Sequence, residues 1–433
     1  MNFDSPFSRN VIPSSPLQDI DPIVIVEGVR TPITRAKKKK NEMHLAPTVD
    51  HLLVTVLKGL IKRSGIDSSL IEDVVVGNVL QPGGGAVMAR MSALEADIPI
   101  SSAVSSVNRQ CSSGLQAIVT IVGSILMGSY DIGIAAGAEC MTHDGINMYT
   151  KPNLNWASIQ KNPLTLSCTL PMGITSDNIA KQFNITREDQ DKFALESHQR
   201  AKIAQSRGEY AVEIIPVTIP ATGITAMIRS TSGMVIDIDD GIRYDCSMQG
   251  LKKLKPVFTP ESRGGTTTAG NASQRSDGAA AVLIMKMSRA KQLGLLPKVI
   301  IRSFAIKGVS PDIMGIGPAV AIPAAVKQAG LTLDQIDYYE INEAFASQCL
   351  YCIRYLGLDP IKVNAGGGAI ALGHPLGSTG TRLVVSILHR LLRTGSRYGV
   401  VSMCVGTGMG AAMVIENFKY AHDAEPLPPR SKL

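Results

Sequence analysis

This chain repeats itself, and the repeat narrows what it can become. Gly330-Leu-Thr-Leu-Asp-Gln-Ile-Asp-Tyr-Tyr-Glu-Ile-Asn echoes Gly65-Ile-Asp-Ser-Ser-Leu-Ile-Glu-Asp-Val-Val-Val-Gly-Asn at an offset of 265, and the helix-to-strand step near Gly395 repeats the one near Gly128 at an offset of 267. Near-constant offsets over separate elements mark a duplicated unit. The length of 433 residues accommodates two domains, or one domain duplicated. In the first copy, Pro22-Ile-Val-Ile-Val-Glu and Ile71-Glu-Asp-Val-Val-Val-Gly-Asn read as buried strands, separated by an amphipathic helix that starts at Asp50 and stops near Gly65. Apolar positions 115, 118, 119, 122, 125 and 126 then have helical spacing, ahead of the small-residue strand Ile132-Gly-Ile-Ala-Ala-Gly-Ala. In the second copy, Pro297-Lys-Val-Ile-Ile is a strand and Ala319 to Ala329 a helix. The alternation predicts an α/β fold.

Between the copies, from about Thr142 to Ala272, the composition shifts to polar loops, several prolines and one long charged helix that begins at Arg187. An insertion of this length between compact repeats is a natural place for a substrate-binding excursion.

Composition excludes several classes of function. Hydrophobic residues at 45%, charged residues at 18% and a mean hydropathy of +0.13 describe a globular rather than a disordered chain. The net charge of +7 suits an anionic ligand without implying nucleic acid, and the basic cluster Lys37–Lys40 lacks interleaved aromatics and reads as a solvated loop. Residues 110–130 carry no charge, but Gln110, Ser112, Ser113, Gln116, Thr120 and Ser124 are too polar for a membrane span, so a buried helix is expected there. Seven cysteines, an odd number widely scattered, favour free thiols in a reducing compartment. Cys349-x-x-Cys352 resembles half a zinc or redox site, yet it has helical periodicity and no second pair, so it reads as packing and no metal is expected. The first twenty residues show neither a secretory signal nor an Arg-rich transit peptide. The terminal Ser431-Lys432-Leu433 matches the address bound by the peroxisomal import receptor, which makes the peroxisome the expected location.

Chemistry concentrates in four places. Cys111, in Val107-Asn-Arg-Gln-Cys-Ser-Ser-Gly, stands where a Ser-rich turn enters a helix, whose positive end and free N–H groups can lower a thiol pKa and bind an oxyanion. On its own it is more often a small buried hydrophobe. His374 lies in Ala365-Gly-Gly-Gly-Ala-Ile-Ala-Leu-Gly-His-Pro-Leu-Gly-Ser-Thr-Gly, where glycines let the backbone approach a ligand and the imidazole is positioned to serve as base to a thiol. Neither phosphate-loop glycine spacing is present there. Cys404 ends a buried strand before the turn carrying Gly406 and Gly408. Asn342, in Glu340-Ile-Asn-Glu-Ala-Phe, can hold a water or an oxyanion, while Glu343 beside it is ambiguous between site and helix start.

In order and wording, Asn108-Arg-Gln-Cys-Ser-Ser-Gly, Asn342-Glu-Ala-Phe, Gly373-His-Pro-Leu-Gly and Cys404-Val-Gly-Thr-Gly-Met-Gly resemble the four active-site blocks of thiolases. The resemblance runs from about Pro22 to Glu416 and is closest in wording to the peroxisomal 3-ketoacyl-CoA group, including Thr267-Thr-Ala-Gly-Asn-Ala-Ser. It implies a thiolase fold of two βαβαβαββ halves in α-β-α-β-α layers. The corresponding boundaries are a flexible 1–20, a first half over 21–141 completed by 273–290, an inserted loop domain over 142–272, a second half over 291–418 and a flexible tail over 419–433. It also implies roles: Cys111 as the acylated nucleophile, Cys404 as the second acid and base, and His374 as the activator of Cys111. His374 and a water held by Asn342 would form one oxyanion hole, the amides of Cys111 and Gly406 another. Ser273 and Arg243 would contact coenzyme A, the cosubstrate. No permanently bound cofactor is implied, and the family suggests a homodimer.

Pro171 departs from the pattern, since short-chain biosynthetic thiolases often carry His there. The readings that remain are degradative 3-ketoacyl-CoA cleavage, acetoacetyl-CoA synthesis through the same residues, and an inactive thiolase-fold binding protein.

Overall fold

Strand β1 (Ile23–Arg30) is buried along its whole length, which its β-branched, apolar sequence suits. It belongs to a computed structural model that describes residues 21–36, 47–143, 154–219 and 234–423. The Lys37–Lys40 cluster, the 1–20 segment and Ser431, Lys432 and Leu433 lie outside the described residues.

After the short β2 (Thr34–Arg35), helix α1 (Val49–Ser64) follows with Leu53, Val56, Leu57 and Leu60 on its buried face and ends on Gly65 at φ 71°. Next come β3 (Asp73–Gly77), α2 (Ala86–Glu95), β4 (Ala103–Val107), α3 (Ser113–Leu126) and β5 (Ile132–Cys140). The insertion holds α4 (Met172–Gln182), α5 (Arg187–Ser206) and the paired β6 (Val217–Ile219) and β7 (Met234–Ile236). A capping box of Thr186 and Asp189 starts α5. The chain then runs through β8 (Ser276–Lys286), β9 (Val299–Gly308), α6 (Gly317–Gln328), β10 (Tyr338–Ile341), α7 (Ala346–Leu356), α8 (Leu376–Thr394), β11 (Tyr398–Val405) and β12 (Met409–Asn417).

The strands lie in the order β4-β3-β5-β8-β1-β9-β12-β11-β10. In the first half β4, β3 and β5 are parallel, while β8 returns antiparallel between β5 and β1. The second half repeats the scheme: β11 is parallel to β10, and β12 returns antiparallel between β11 and β9. The half-sheets meet edge to edge where Val24 and Ile25 pair with Ile300 and Val299, next to a bulge between Ile25 and Glu27.

Among the described residues, the second half has no counterpart of β4 as a full strand. Where β4 lies beside β3, only Val363 bridges to Tyr339. The Asn364 side chain replaces the rest of the ladder: its Oδ1 accepts from the Ile341 N–H at 2.8 Å and its Nδ2 donates to the Ile341 carbonyl at 2.8 Å. A side-chain amide carries the same donor and acceptor as a peptide, so this edge is satisfied without further strand.

Strand alternation sorts the core into layers. On β8, Ala279, Ala281, Leu283 and Met285 face α1 and α2, while Ala280, Val282 and Ile284 face the centre with α3 and α8. Leu115, Ile118 and Ile121 of α3 pack there with Leu383, Val384 and Ile387 of α8, between the inner faces of both half-sheets. Full burial of each such side chain contributes roughly 1.5–3 kcal/mol. Helices α6 and α7 cover the outer face of the second half through Ile322, Val326 and Ile353. Cys349 and Cys352 are buried on α7, and no described helix is long and apolar enough to cross a membrane.

Candidate active site

The two central helices begin beside each other because glycine lets backbone meet backbone. A Cβ on Gly137 of β5 would lie 2.2 Å from the carbonyl oxygen of Gly377, and one on Gly114 of α3 would lie 2.7 Å from the same oxygen. Two helix N-termini therefore converge at the C-terminal ends of β3 and β5, a region of positive potential suited to negative charge.

Cys111 sits in the elbow between β4 and α3. Gln110 before it takes φ 47°, held by an Asn108 carboxamide that accepts from the Gln110 N–H at 3.0 Å. The serines brace this elbow: Ser112 Oγ donates to the Arg109 carbonyl at 3.0 Å, and Ser113 Oγ accepts from the Arg109 N–H at 3.0 Å. They position the helix start.

Cys404 lies at the end of β11, fully buried among Met314, Ala344 and Phe345, before a turn with Thr407 at φ 67° and Gly408 at φ 94°. Burial pushes the Cys404 thiol well up, with further upward contributions from Cys111 and Cys352. Burial also pushes Cys111 up to about 11; the Gly406 N–H at its sulfur pulls the other way, and the charge of Glu139 adds to the rise. The structure thus brings Cys111, Cys404 and the Gly406 amide together, with the Gln110 side chain against Gly406.

His374 follows Gly373, at φ 111°, after one turn of helix over Ala369–Leu372. Its Nδ1 lies 2.6 Å from Thr379 Oγ1, whose hydroxyl donates to the Pro375 carbonyl at 2.9 Å. That hydroxyl proton is committed, so Nδ1 donates and the proton is on Nδ1. The Nε2 lone pair then accepts from Asn342 Nδ2 at 3.3 Å. Burial and the nearby Arg382 charge lower the His374 pKa to about 3, which keeps the ring neutral at physiological pH. No hydrogen bond joins His374 to Cys111 among the described residues.

Ser273 and Arg243 occupy neighbouring loops. The Ser273 N–H donates to the Ala344 carbonyl at 3.0 Å, beside the Asn342 block. Arg243 is exposed and its N–H donates to Nδ1 of the buried His198 at 3.1 Å. Burial and Arg243 lower the His198 pKa to about 4. The preceding residue, Ile242, packs on Ala371 and Leu372, so this loop covers the turn that leads to His374.

Glu343 is a structural anchor. Its carboxylate accepts from Ser197 Oγ at 2.7 Å, Asn364 Nδ2 at 2.9 Å and the Ile370 N–H at 3.2 Å.

Two contributors escape a reading of the sequence. Thr379 orients His374, and its signal is a hydroxyl in the first turn of the helix that Pro375 opens. Glu139 is fully buried and accepts from Val79, Leu80 and Gly377 N–H groups, at 3.1, 3.2 and 2.9 Å, tying the loop after β3 to the start of α8. Its signal is an acid at the end of an otherwise small and apolar strand. No group of three or more His, Cys, Asp or Glu placed to hold a metal occurs among the described residues.

Two thiols, a backbone N–H and a neutral imidazole whose unprotonated nitrogen faces Asn342 form a constellation suited to covalent acyl transfer. Comparisons with known proteins agree with this geometry. The family model for the thiolase N-terminal domain matches residues 23–288, and that for the thiolase C-terminal domain matches residues 295–417. The peroxisomal 3-ketoacyl-CoA thiolase B of Rattus norvegicus is 51% identical over 395 residues, covering 91% of this chain and 90% of the relative. The crystal structure of the dimeric peroxisomal thiolase of Saccharomyces cerevisiae superposes with a TM-score of 0.83 at 42% identity, over 92% of this chain and 97% of that one. Human mitochondrial 3-ketoacyl-CoA thiolase in complex with CoA gives 0.79 at 34% identity, over 92% and 98%. From Cys111 at one helix entrance to His374 at the other, and across both halves of the sheet, this chain belongs to the thiolase family.

Proposed function

We propose that the chain is a 3-ketoacyl-CoA thiolase that shortens 3-ketoacyl-CoA by two carbons in the peroxisome, at the end of a β-oxidation cycle. The observation that carries this reading is the meeting of Cys111, Cys404 and the Gly406 amide beside a His374 whose basic nitrogen is fixed.

His374 Nε2 takes the proton of Cys111, and the thiolate attacks the 3-keto carbon. The bond between C2 and C3 breaks, leaving its electron pair on C2 as the enolate of acetyl-CoA. Cys404 donates its proton to C2, acetyl-CoA departs, and the acyl group remains on Cys111 as a thioester. Cys404, now a thiolate, deprotonates an incoming CoA thiol, which takes the acyl group while Cys111 leaves as a thiolate and recovers its proton from His374. Covalent capture divides a hard step in two, and the N–H groups of Cys111 and Gly406 stabilise the oxyanion formed at the attacked carbon. Asn342, through a water, and His374 would stabilise the enolate oxygen. Coenzyme A acts as cosubstrate, in contact with Ser273 and Arg243, and no resident cofactor takes part.

A homodimer suits the edge strand β4, whose outward side carries no partner strand among the described residues, together with the exposed Val87, Met91 and Leu94 of α2 and Ile100 beside it. The division into two halves, with 273–290 completing the first around the 142–272 insertion, fits the return of β8 between β5 and β1. Import would proceed through Ser431, Lys432 and Leu433.

The test is CoA-dependent cleavage of a medium- or long-chain 3-ketoacyl-CoA, followed by loss of the magnesium–enolate absorbance. It should proceed faster than cleavage of acetoacetyl-CoA. The reverse ranking would favour the acetoacetyl-CoA reading, and no turnover of either would leave a binding protein. Pro171, which begins α4 where a histidine is frequent in short-chain relatives, favours the first outcome.

A further inference from the structure

The two nitrogens of His374 are gripped from different elements: Nδ1 by Thr379 on α8, and Nε2 by Asn342 just after β10. One turn beyond Thr379, Arg382 crosses to Glu340, two residues before Asn342, with Nη1 3.7 Å from Oε2. Both side chains are buried, at 1% and 4% exposure. None of the three guanidinium nitrogens makes a hydrogen bond to a described protein atom. They border a cavity of about 10 Å³, room for one water, walled also by Glu213 and Tyr210.

A buried ion pair with so few hydrogen bonds is a poor source of stability, because desolvation of both charges offsets their attraction. Its place in the fold suggests another use. We propose that Arg382 and Glu340 are positioning residues that clamp α8 to β10, so that Thr379 and Asn342 hold one imidazole orientation. This rests on the reading of His374 as the base for Cys111.

The charges facing the pair come from every element packed on it: Arg30 of β1, Tyr210 and Glu213 after α5, Glu343 after β10, and Arg390 of α8. Burial pushes Glu340 up to about 7 against the pull of Arg382 and Arg390, and Arg382 in turn lowers the pKa of His374. Burial is the larger cause of the lowered His374 pKa, and the Arg382 charge adds to it.

The experiment uses the full chain and single-turnover acylation of Cys111, read by intact mass after brief pH jumps, with thermal unfolding as the check on folding. Arg382→Met should raise the acidic limb of the acylation rate by about one pH unit, since a like charge near the ring is removed. It should also slow acylation about 10-fold at neutral pH, through a looser ring. Glu340→Gln, which leaves the guanidinium unbalanced, should not raise the limb, and Arg382→Lys should keep it near that of the parent. A folded Arg382→Met whose limb stays at the parent position, or Arg382→Met and Glu340→Gln limbs raised alike, would reduce the pair to packing. Should Arg382→Met fail to fold, Glu340→Gln and Arg382→Lys decide: a limb raised by either overturns the proposal, and a limb held in both, with acylation slowed only in Glu340→Gln, supports it. His374→Asn separates the two layers of inference. Undiminished acylation in that variant refutes the base, whereas its loss together with an unmoved limb in folded Arg382→Met, or a limb raised by Glu340→Gln or Arg382→Lys, refutes the clamp alone.

Discussion

The imidazole of His374 takes its orientation from Thr379, whose hydroxyl accepts from Nδ1 at 2.6 Å and spends its own proton on the Pro375 carbonyl. Thr379→Val keeps the shape and removes the acceptor, so the ring loses its preferred tautomer. A decrease in kcat of about 10- to 100-fold is expected, with KM for the 3-ketoacyl-CoA little changed, and Thr379→Ser should recover most of the rate. Steady-state kinetics of the two variants decide the matter; equal rates in Thr379→Val and the parent would remove Thr379 from the mechanism.

Cys111 and His374 form a neutral pair in the free enzyme, because burial raises the thiol to about 11 and lowers the imidazole to about 3. Alkylation of Cys111 by iodoacetamide should therefore accelerate about tenfold per pH unit from pH 7 to 10, as the thiolate fraction grows. A preformed thiolate–imidazolium pair would instead react at a rate flat across that range.

Much of this arrangement is legible in the residues themselves. Apolar periodicity places β1, α1, β3, α3 and β5, and the echo between Gly65 and Gly330 reveals the duplication, because both depend on neighbours in sequence. The Cys111, Asn342, His374 and Cys404 blocks stand out by their glycines and by their resemblance to a family. Asn364 does not, since a side chain that stands in for a strand edge looks like any loop asparagine until Ile341 is beside it. Glu139 is hidden for the same reason: its partners at 79, 80 and 377 are brought in only by the fold. The joining of the half-sheets through two residue pairs of β1 and β9 has no local signature either.

The convergence of the two helix starts depends on missing side chains. In Gly137→Ala the new methyl would lie 2.2 Å from the Gly377 carbonyl oxygen, so the helix must shift. A loss of about 1–3 kcal/mol in urea unfolding is expected, with a larger fractional loss of activity. Gly123→Ala, in the exposed last turn of α3 with nothing within 4 Å of the added carbon, should instead gain up to roughly 0.5–1 kcal/mol. Similar effects at the two positions would contradict the close approach.

Acid should weaken the fold partly through His374. Its folded-state pKa of about 3 lies below the ordinary value of 6.5, so the unfolded chain binds the extra proton first as pH falls. The stability associated with the neutral ring is complete above pH 6.5 and declines below it by about 1.4 kcal/mol per pH unit until the folded pKa is reached. His374→Asn should show a shallower decline by about that slope between pH 6.5 and 5, measured from urea midpoints at each pH; parallel curves would count against a neutral buried ring.

In cells, an N-terminally tagged full chain should collect in peroxisomes, and deletion of Ser431, Lys432 and Leu433 should leave it in the cytosol. Fluorescence microscopy beside a peroxisomal marker reads the result, and unchanged import of the truncated chain would point to another signal.

The duplicated architecture divides the chemical labour unevenly. Cys111 stands before α3 in the first copy, whereas His374 stands before the equivalent helix α8 in the second, and Cys404 closes a strand of that same second copy. On the proposed mechanism, a half-length chain therefore holds either the group to be acylated or the groups that would move its protons, never the complete set. Split between the copies, the two fragments should be inert apart and regain turnover only on reassociation, so that one covalent chain behaves chemically as an obligate partnership of unlike halves.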